Sequence, residues 1–251
     1  MNATPTTQIP RHFLSTKPIP SRERLIFALD VPTVDEAKRI VELLGDAVMF
    51  YKVGLQLFMA GGYYELIEWL RQRGKQVFVD LKFFDVPETV KLAVQQLKNR
   101  GATFATVHGN DSMLKAAAEA GSGVKILAVT VLTSLDNGDL AALGFSCDTE
   151  TLVLSRARRA IELGCAGVIS SGLEAEKLRE SLGPNFLVIT PGIRPVENSS
   201  IPDDQKRIVT PTAAFQKGAD YIVVGRPISK ASDPRAKAEE IQDEIAALFP
   251  S

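Results

Sequence analysis

"FVDLKFFDVPET", from Phe78 to Thr89, places Asp80, Lys82 and Asp85 at the end of what otherwise reads as a buried apolar strand. Enclosing a charge costs several kcal/mol unless it is well paired, and pairing often only breaks even. A strand that ends in three charges therefore points to a site at its end.

The surrounding chain shows where such a strand belongs. Short apolar runs alternate with amphipathic helical stretches from Arg24 onward: "RLIFALD", "VMFYKVG", "QVFVDLKF", "TFATVHG", "KILAVTVLT", "AGVISSG", "FLVITPG" and "YIVVGRP". They are continuously apolar and rich in Val and Ile, as strands covered on both faces are. Val34, Ala37, Val41 and Leu44 form one helical stripe, Val90, Ala93, Val94 and Leu97 another, and Ala238, Ile241, Ile245 and Leu248 a last one.

A faint repeat accompanies this alternation. Gly101, Gly164 and Gly218 each end a helix, as left-handed stops do, and the strands that follow finish in Gly109, Gly172 and Gly225. The second set suits a close turn or a backbone approached by a ligand. Eight strand-helix pairs without a domain-sized linker predict a single (β/α)8 TIM barrel over residues 21–251, with residues 1–20 a flexible Pro- and Thr-rich tail. An open doubly wound sheet is the structural alternative. No Gly-x-Gly-x-x-Gly follows the first strand to support it.

Composition narrows the function. The 251 residues carry a net charge of −1, so no bulk nucleic-acid or acidic-membrane partner is implied, and no apolar run reaches membrane-spanning length. Cys147 and Cys165 lack metal or disulfide spacing, which suits a reducing cytoplasm. With only His12 and His108, a His-rich zinc site is excluded, and no Gly-x-Ser-x-Gly elbow supports a serine triad. His108 reads as a satisfied barrel or interface histidine rather than a catalyst. No metal or organic cofactor is expected.

Active sites of such barrels are built where the strands finish. In order, those ends hold Asp30, then Lys52, then Asp80 with Lys82, and later Thr133, Arg194 and Gly225-Arg226. Asp80 and Lys82 are two apart, so a regular strand sends both to the barrel mouth. Asp85 lies at the turn into the next helix, where Asp-Val-Pro-Glu also fits an N-cap with Glu88 completing a capping box. A carboxylate about 4 Å from Lys82 favours its ammonium by roughly 4 kcal/mol before desolvation. Between two aspartates, Lys82 suits a cation or proton donor better than a Schiff-base nucleophile.

Loops after strands seven and eight often hold a phosphate, and "TPGIRP" and "VVGRPI" occupy them. Gly225 permits backbone approach, Arg226 offers a bidentate contact, and Arg194 could serve the same group. Residues 191–207 lack periodicity and read as a lid, from which Gln205 could reach the ligand. The segment from Thr133 to Asp148 contains Asp136-Asn137-Gly138, a turn signal.

Taken together, these residues resemble the orotidine 5′-phosphate decarboxylase family. Asp80-Leu-Lys82-Phe-Phe-Asp85 matches its Asp-x-Lys-x-x-Asp motif, and "FALD", "YKVG", "VLTS", "TPGIRP" and "VVGRPI" follow the family order from Arg24 to the final helix. The resemblance implies cofactor-free conversion of orotidine 5′-monophosphate to uridine 5′-monophosphate in pyrimidine synthesis. It implies a homodimer that shares Asp85 and Thr89 across its interface. Lys82 would protonate C6, with Asp80 beside the substrate carboxylate and Lys52 and the partner's Asp85 completing the charge array. Asp30, Lys52 and Thr89 would hold the ribose and Thr133 the pyrimidine. Gln205, Gly225 and Arg226 would hold the phosphate, with Arg194 close by. Magnesium-dependent sugar-phosphate decarboxylases and hexulose-phosphate synthases look similar but typically carry an acid where Lys52 stands. A barrel that binds a phosphate ligand without turning it over is the non-enzymatic alternative.

Overall fold

Each of the eight apolar runs forms a parallel strand: β1 Leu25–Ala28, β2 Phe50–Gly54, β3 Gln76–Phe83, β4 Phe104–His108, β5 Lys125–Val129, β6 Gly167–Ile169, β7 Leu187–Thr190 and β8 Tyr221–Val224. The computed structural model describes residues 13–108, 110–194 and 208–250. Consecutive strands pair in order, and β8 returns to β1 with Leu25 opposite Ile222 and Ile26 opposite Val223. The sheet is therefore a closed (β/α)8 barrel, and the open-sheet alternative falls.

Strand residues alternate between two cores, as a side-chain period of two requires. Leu25, Phe27, Tyr51, Val53, Val77, Val79, Ala105 and Val107 face the helices. Ile26, Phe50, Phe78, Phe104, Leu127, Ile189 and Tyr221 fill the barrel. Inside, the Phe104 ring lies 5.2 Å from Phe50, 6.0 Å from Phe78 and 5.3 Å from Tyr221 by centroids. This aromatic plug is the floor of the barrel mouth. The residues two further along their strands, Lys52, Asp80 and Thr106, are polar. The same alternation that packs the floor thus lifts polar groups above it.

The helical stripes bury as their spacing predicts, with Ala37, Val41 and Leu44 on helix Val34–Leu44, Val90 and Val94 on helix Pro87–Gln95, and Ala238, Ile241 and Ile245 on helix Pro234–Leu248. Thr33 caps the first by accepting the Glu36 N–H at 3.2 Å. Short additional helices, Leu55–Ala60, Asn137–Ala142 and Arg226–Ser229, occupy the loops after β2, β5 and β8. Simple strand-helix pairing does not separate them.

Gly101, Gly164 and Gly218 take φ of 79°, 88° and 104°, the left-handed stops expected of them. Gly172 serves a different purpose. A Cβ there would collide with the Val209 side chain, so another part of the chain makes the close approach. Gly109 lies outside the described residues.

At the opposite end of the barrel, the fully buried Asp220 carboxylate gathers Arg179 Nη2 at 2.7 Å, Lys17 Nζ at 3.0 Å, Ser15 Oγ at 2.5 Å and the Val188 N–H at 2.9 Å. Four partners satisfy its lone pairs, which makes a buried carboxylate tenable. Of the stretch expected to form a tail, residues 13–20 are described, and Ser15 and Lys17 tie it to the barrel. Arg24 sits beside this cluster and stacks 3.7 Å over the Phe249 ring.

Candidate active site

A cavity of about 310 Å³ opens at the C-terminal ends of the strands. Drug-sized ligands occupy pockets of roughly 300–1,000 Å³. Asp30, Lys52, Asp80 and Lys82, from the ends of the first three strands, line it together with Thr133, Arg194, Gly225 and Arg226 from the loops after later strands. Asp85 and Thr89 do not line it, and Gln205 lies outside the described residues, as does residue range 195–207 of the expected lid.

Asp30, Lys52, Asp80 and Lys82 form an alternating chain. Lys52 Nζ lies 3.0 Å from Asp30 Oδ1 and 3.4 Å from Asp80 Oδ2, and Lys82 Nζ lies 2.8 Å from Asp80 Oδ1. Burial alone pushes the Asp80 carboxyl up. The ammonium groups of Lys52 and Lys82, with hydrogen bonds from Lys82 and Thr106, outweigh it and hold Asp80 below the usual carboxylate range. Burial likewise presses the Lys52 ammonium down, but Asp80 and Asp30 reverse it and leave Lys52 above the usual lysine range. The lysine set between two aspartates of this chain is thus Lys52. Lys82 pairs with Asp80, and Asp85 does not line this chain's own cavity.

The route by which Lys82 enters the cavity also differs from a regular strand. Its φ is 49°, in the left-handed region that side chains seldom adopt. Val79 pairs with Ala105 and Phe83 with Val107, so four steps on β3 match two on β4. This bulge re-aims the side chain. The Lys82 N–H that the ladder leaves out donates to Thr106 Oγ1 at 3.0 Å, and the same hydroxyl donates to Asp80 Oδ1 at 2.9 Å.

Asp85 and Thr89 are exposed at the start of helix Pro87–Gln95. The cap reading of Asp85 does not hold. Val86 is the N-cap and makes no side-chain cap bond, whereas the Asp85 carboxylate accepts the adjacent Val86 N–H at 2.7 Å. Around these residues Phe84, Val86 and Leu92 are exposed, as are Leu55, Phe58 and Met59 on the helix after β2. Exposed large apolar side chains, where they form one patch, mark interaction surfaces.

Gly225 is not left-handed. Its Cβ position lies 3.3 Å from Ala28 Cβ, so a side chain would crowd β1. Arg226 follows as the first residue of helix Arg226–Ser229. The Arg194 N–H donates to the Val209 carbonyl at 2.9 Å, and Ile193 bridges to Val209, which ties together the two ends of the segment that separates them. Thr133 lies beyond β5 in a loop whose start is held by Arg156, through Nη1 donating to the Thr130 carbonyl at 2.7 Å. His108 stands edge-on to Phe84, and its buried Nδ1 has no hydrogen-bond partner among the described residues.

Sequence reasoning passed over Thr106, Ser134 and Ser229, and the apolar walls Val129, Ile169 and Val223. A hydroxyl inside the apolar run "FATVHG" was the available signal for Thr106, and for Ser134 it was its place in "VLTS" beside Thr133. Chemically, the cavity offers a fixed ammonium beside a carboxylate, with Arg194 and Arg226 also in its wall. That suits an anionic substrate whose reaction develops negative charge near Lys82.

Comparison with known proteins agrees with this geometry. The sequence model of the "Orotidine 5'-phosphate decarboxylase / HUMPS family" matches residues 23–241. Orotidine 5'-phosphate decarboxylase of Methylococcus capsulatus is 61% identical over 238 residues, 95% of this chain and 98% of that protein. The Xanthomonas euvesicatoria protein of the same name is 50% identical, covering 93% and 96%. The crystal structure of orotidine 5'-phosphate decarboxylase from Lactobacillus acidophilus superposes with a TM-score of 0.79 at 39% identity, covering 89% of this chain and 99% of that one.

Proposed function

The chain belongs to the orotidine 5′-phosphate decarboxylase / HUMPS family, and we propose that its Lys52–Asp80–Lys82 array performs the decarboxylation step. It converts orotidine 5′-monophosphate to uridine 5′-monophosphate and carbon dioxide in pyrimidine biosynthesis. The observation that carries the assignment of roles is the Lys82 ammonium, 2.8 Å from Asp80 Oδ1 in a cavity that Arg226 also lines.

Loss of carbon dioxide leaves an electron pair at C6 that the pyrimidine ring stabilises poorly. Lys82 offsets that charge and delivers its proton to C6, so a C–C bond breaks and a C–H bond forms. The ion pair with Asp80 and the strand bulge hold the ammonium in place before the charge develops, which is where electrostatic catalysis has most effect. Asp80 lies beside the departing carboxylate, with Lys52 on its other oxygen. Asp30, Lys52 and Thr89 take the ribose hydroxyls and Thr133 the pyrimidine. Arg226, Gly225 and Gln205 take the phosphate, with Arg194 close by. Phosphate contacts remote from the broken bond supply binding energy for orientation.

The working unit is a homodimer in which Asp85 and Thr89 enter the partner's site. Their exposure outside this chain's own cavity, among exposed Phe84, Val86 and Leu92, supports that reading. The reaction needs no cofactor. Lys52 occupies the space between Asp30 and Asp80 where a divalent ion would otherwise bind, and this disfavours the magnesium-dependent relatives. A cytoplasmic location accords with the unpaired Cys147 and Cys165. Among the described residues, no helix is long and apolar enough to cross a membrane.

The test is an ultraviolet assay with orotidine 5′-monophosphate after exhaustive EDTA treatment. Full turnover supports the assignment. Activity that disappears and returns only with magnesium moves the chain to the sugar-phosphate branch.

A further inference from the structure

We infer that Thr106 is the positioning residue that sets Lys82 and Asp80 relative to one another. The inference rests on the decarboxylase reading and deepens it. Thr106 is fully buried on β4, directly above Phe104 in the aromatic floor. Its Oγ1 accepts the Lys82 N–H at 3.0 Å and donates to Asp80 Oδ1 at 2.9 Å.

Both bonds meet a specific need. At φ 49° the Lys82 backbone is outside the regular ladder, and the register jump between Val79 and Phe83 leaves its N–H without a strand partner. A buried N–H left unpaired costs free energy comparable to a lost hydrogen bond. A backbone held in a sparsely populated region persists only when its surroundings enforce it. The Thr106 hydroxyl provides that enforcement from the neighbouring strand. Its proton then goes to the carboxylate oxygen that also receives Lys82 Nζ, at 2.8 Å. One hydroxyl fixes the backbone beneath the proton donor and the anion beside it. The methyl group of a β-branched residue limits the rotamers available, so the hydroxyl is held in that role. Thr106 itself does not line the cavity, so it acts through Asp80 and Lys82.

The test compares Thr106→Val and Thr106→Ala, which lack the hydroxyl, with Thr106→Ser, which keeps it. In both hydroxyl-free variants kcat should fall about tenfold to a hundredfold, the usual effect of orphaning a buried polar group at a site. KM and the affinity for uridine 5′-monophosphate should hold. Thr106→Ser should recover kcat to within about threefold of the wild type, since the conservative variant restores both bonds. The acid limb of kcat should move to higher pH in the hydroxyl-free variants, because Asp80 loses a hydrogen bond to its ionised form. Wild-type kcat in Thr106→Ala, or equal losses in the Ser and Ala variants, overturns the inference. So does a fall in product affinity that matches the fall in kcat. Should Thr106→Val fail to fold, the Ala and Ser pair decides alone. A wild-type protein that does not turn over orotidine 5′-monophosphate overturns the functional reading instead, which separates the two failures.

Discussion

Lys52 Nζ stands 3.4 Å from Asp80 Oδ2, on the carboxylate oxygen that Lys82 does not use. The two lysines therefore brace one anion from two sides, with Asp30 3.0 Å behind Lys52. This arrangement fixes the charge state of the site across a wide range of pH.

Asp80 is depressed below its ordinary value of 3.8, so its contribution to stability is fully present above that pH. It is lost as pH falls through the lower folded value. Lys52 is raised above its ordinary 10.5, so its contribution is complete below that pH and lost as pH rises through the folded value. A plot of kcat against pH should be flat across the neutral range. The kcat/KM profile should fall below about pH 6, where the substrate phosphate dianion takes up its first proton. A kcat limb near neutrality would contradict this assignment.

Arg226→Ala tests the phosphate end. Loss of a charge-assisted bidentate contact should lower kcat/KM by roughly two orders of magnitude or more. Orotidine, which lacks the phosphate, should be a slow substrate and nearly indifferent to the substitution. Equal losses with both substrates would make Arg226 a structural residue.

At the other end of the barrel, Asp220→Ala separates stability from chemistry. It strands Arg179 and Lys17, and breaking a buried pair in this way costs about 3–5 kcal/mol. Denaturant unfolding should register that loss, while kcat of the protein that remains folded should match the wild type. An unaltered unfolding midpoint would show that the cluster contributes little.

The barrel was legible because its signals are local and repeated. Each strand is an apolar run of its own, and Gly101, Gly164 and Gly218 stop helices by a backbone preference that needs no tertiary context. Asp30, Lys52, Asp80 and Lys82 were legible for the same reason, since charge at a buried strand end is costly without a purpose. The bulge at Lys82 was not legible. It depends on how β3 registers with β4, and a lysine carries no mark of a positive φ. Thr106 stayed hidden because its importance lies in two partners on another strand. The cap expected of Asp85 failed for a related reason: the helix starts one residue later, at Pro87 behind Val86.

Subunit mixing tests whether the site is shared between two chains. Lys82→Ala and Asp85→Ala should each be nearly inactive alone. In a hybrid dimer one site lacks both residues, and the other combines native Lys82 with the partner's native Asp85. Random pairing makes about half of the dimers hybrids, so recovery should approach about a quarter of native activity. No recovery despite demonstrated subunit exchange would return Asp85 to its own chain.

The most direct measurement follows product formation by the wild type and by Lys82→Ala side by side, with product binding as the control for folding. The wild type should release one uridine 5′-monophosphate and one carbon dioxide per orotidine 5′-monophosphate consumed. Lys82→Ala removes the cation and the proton donor together, so kcat should fall on the order of 10⁴-fold or more while the affinity for uridine 5′-monophosphate persists. A Lys82→Ala protein that keeps a substantial part of the wild-type rate would contradict the role given to Lys82.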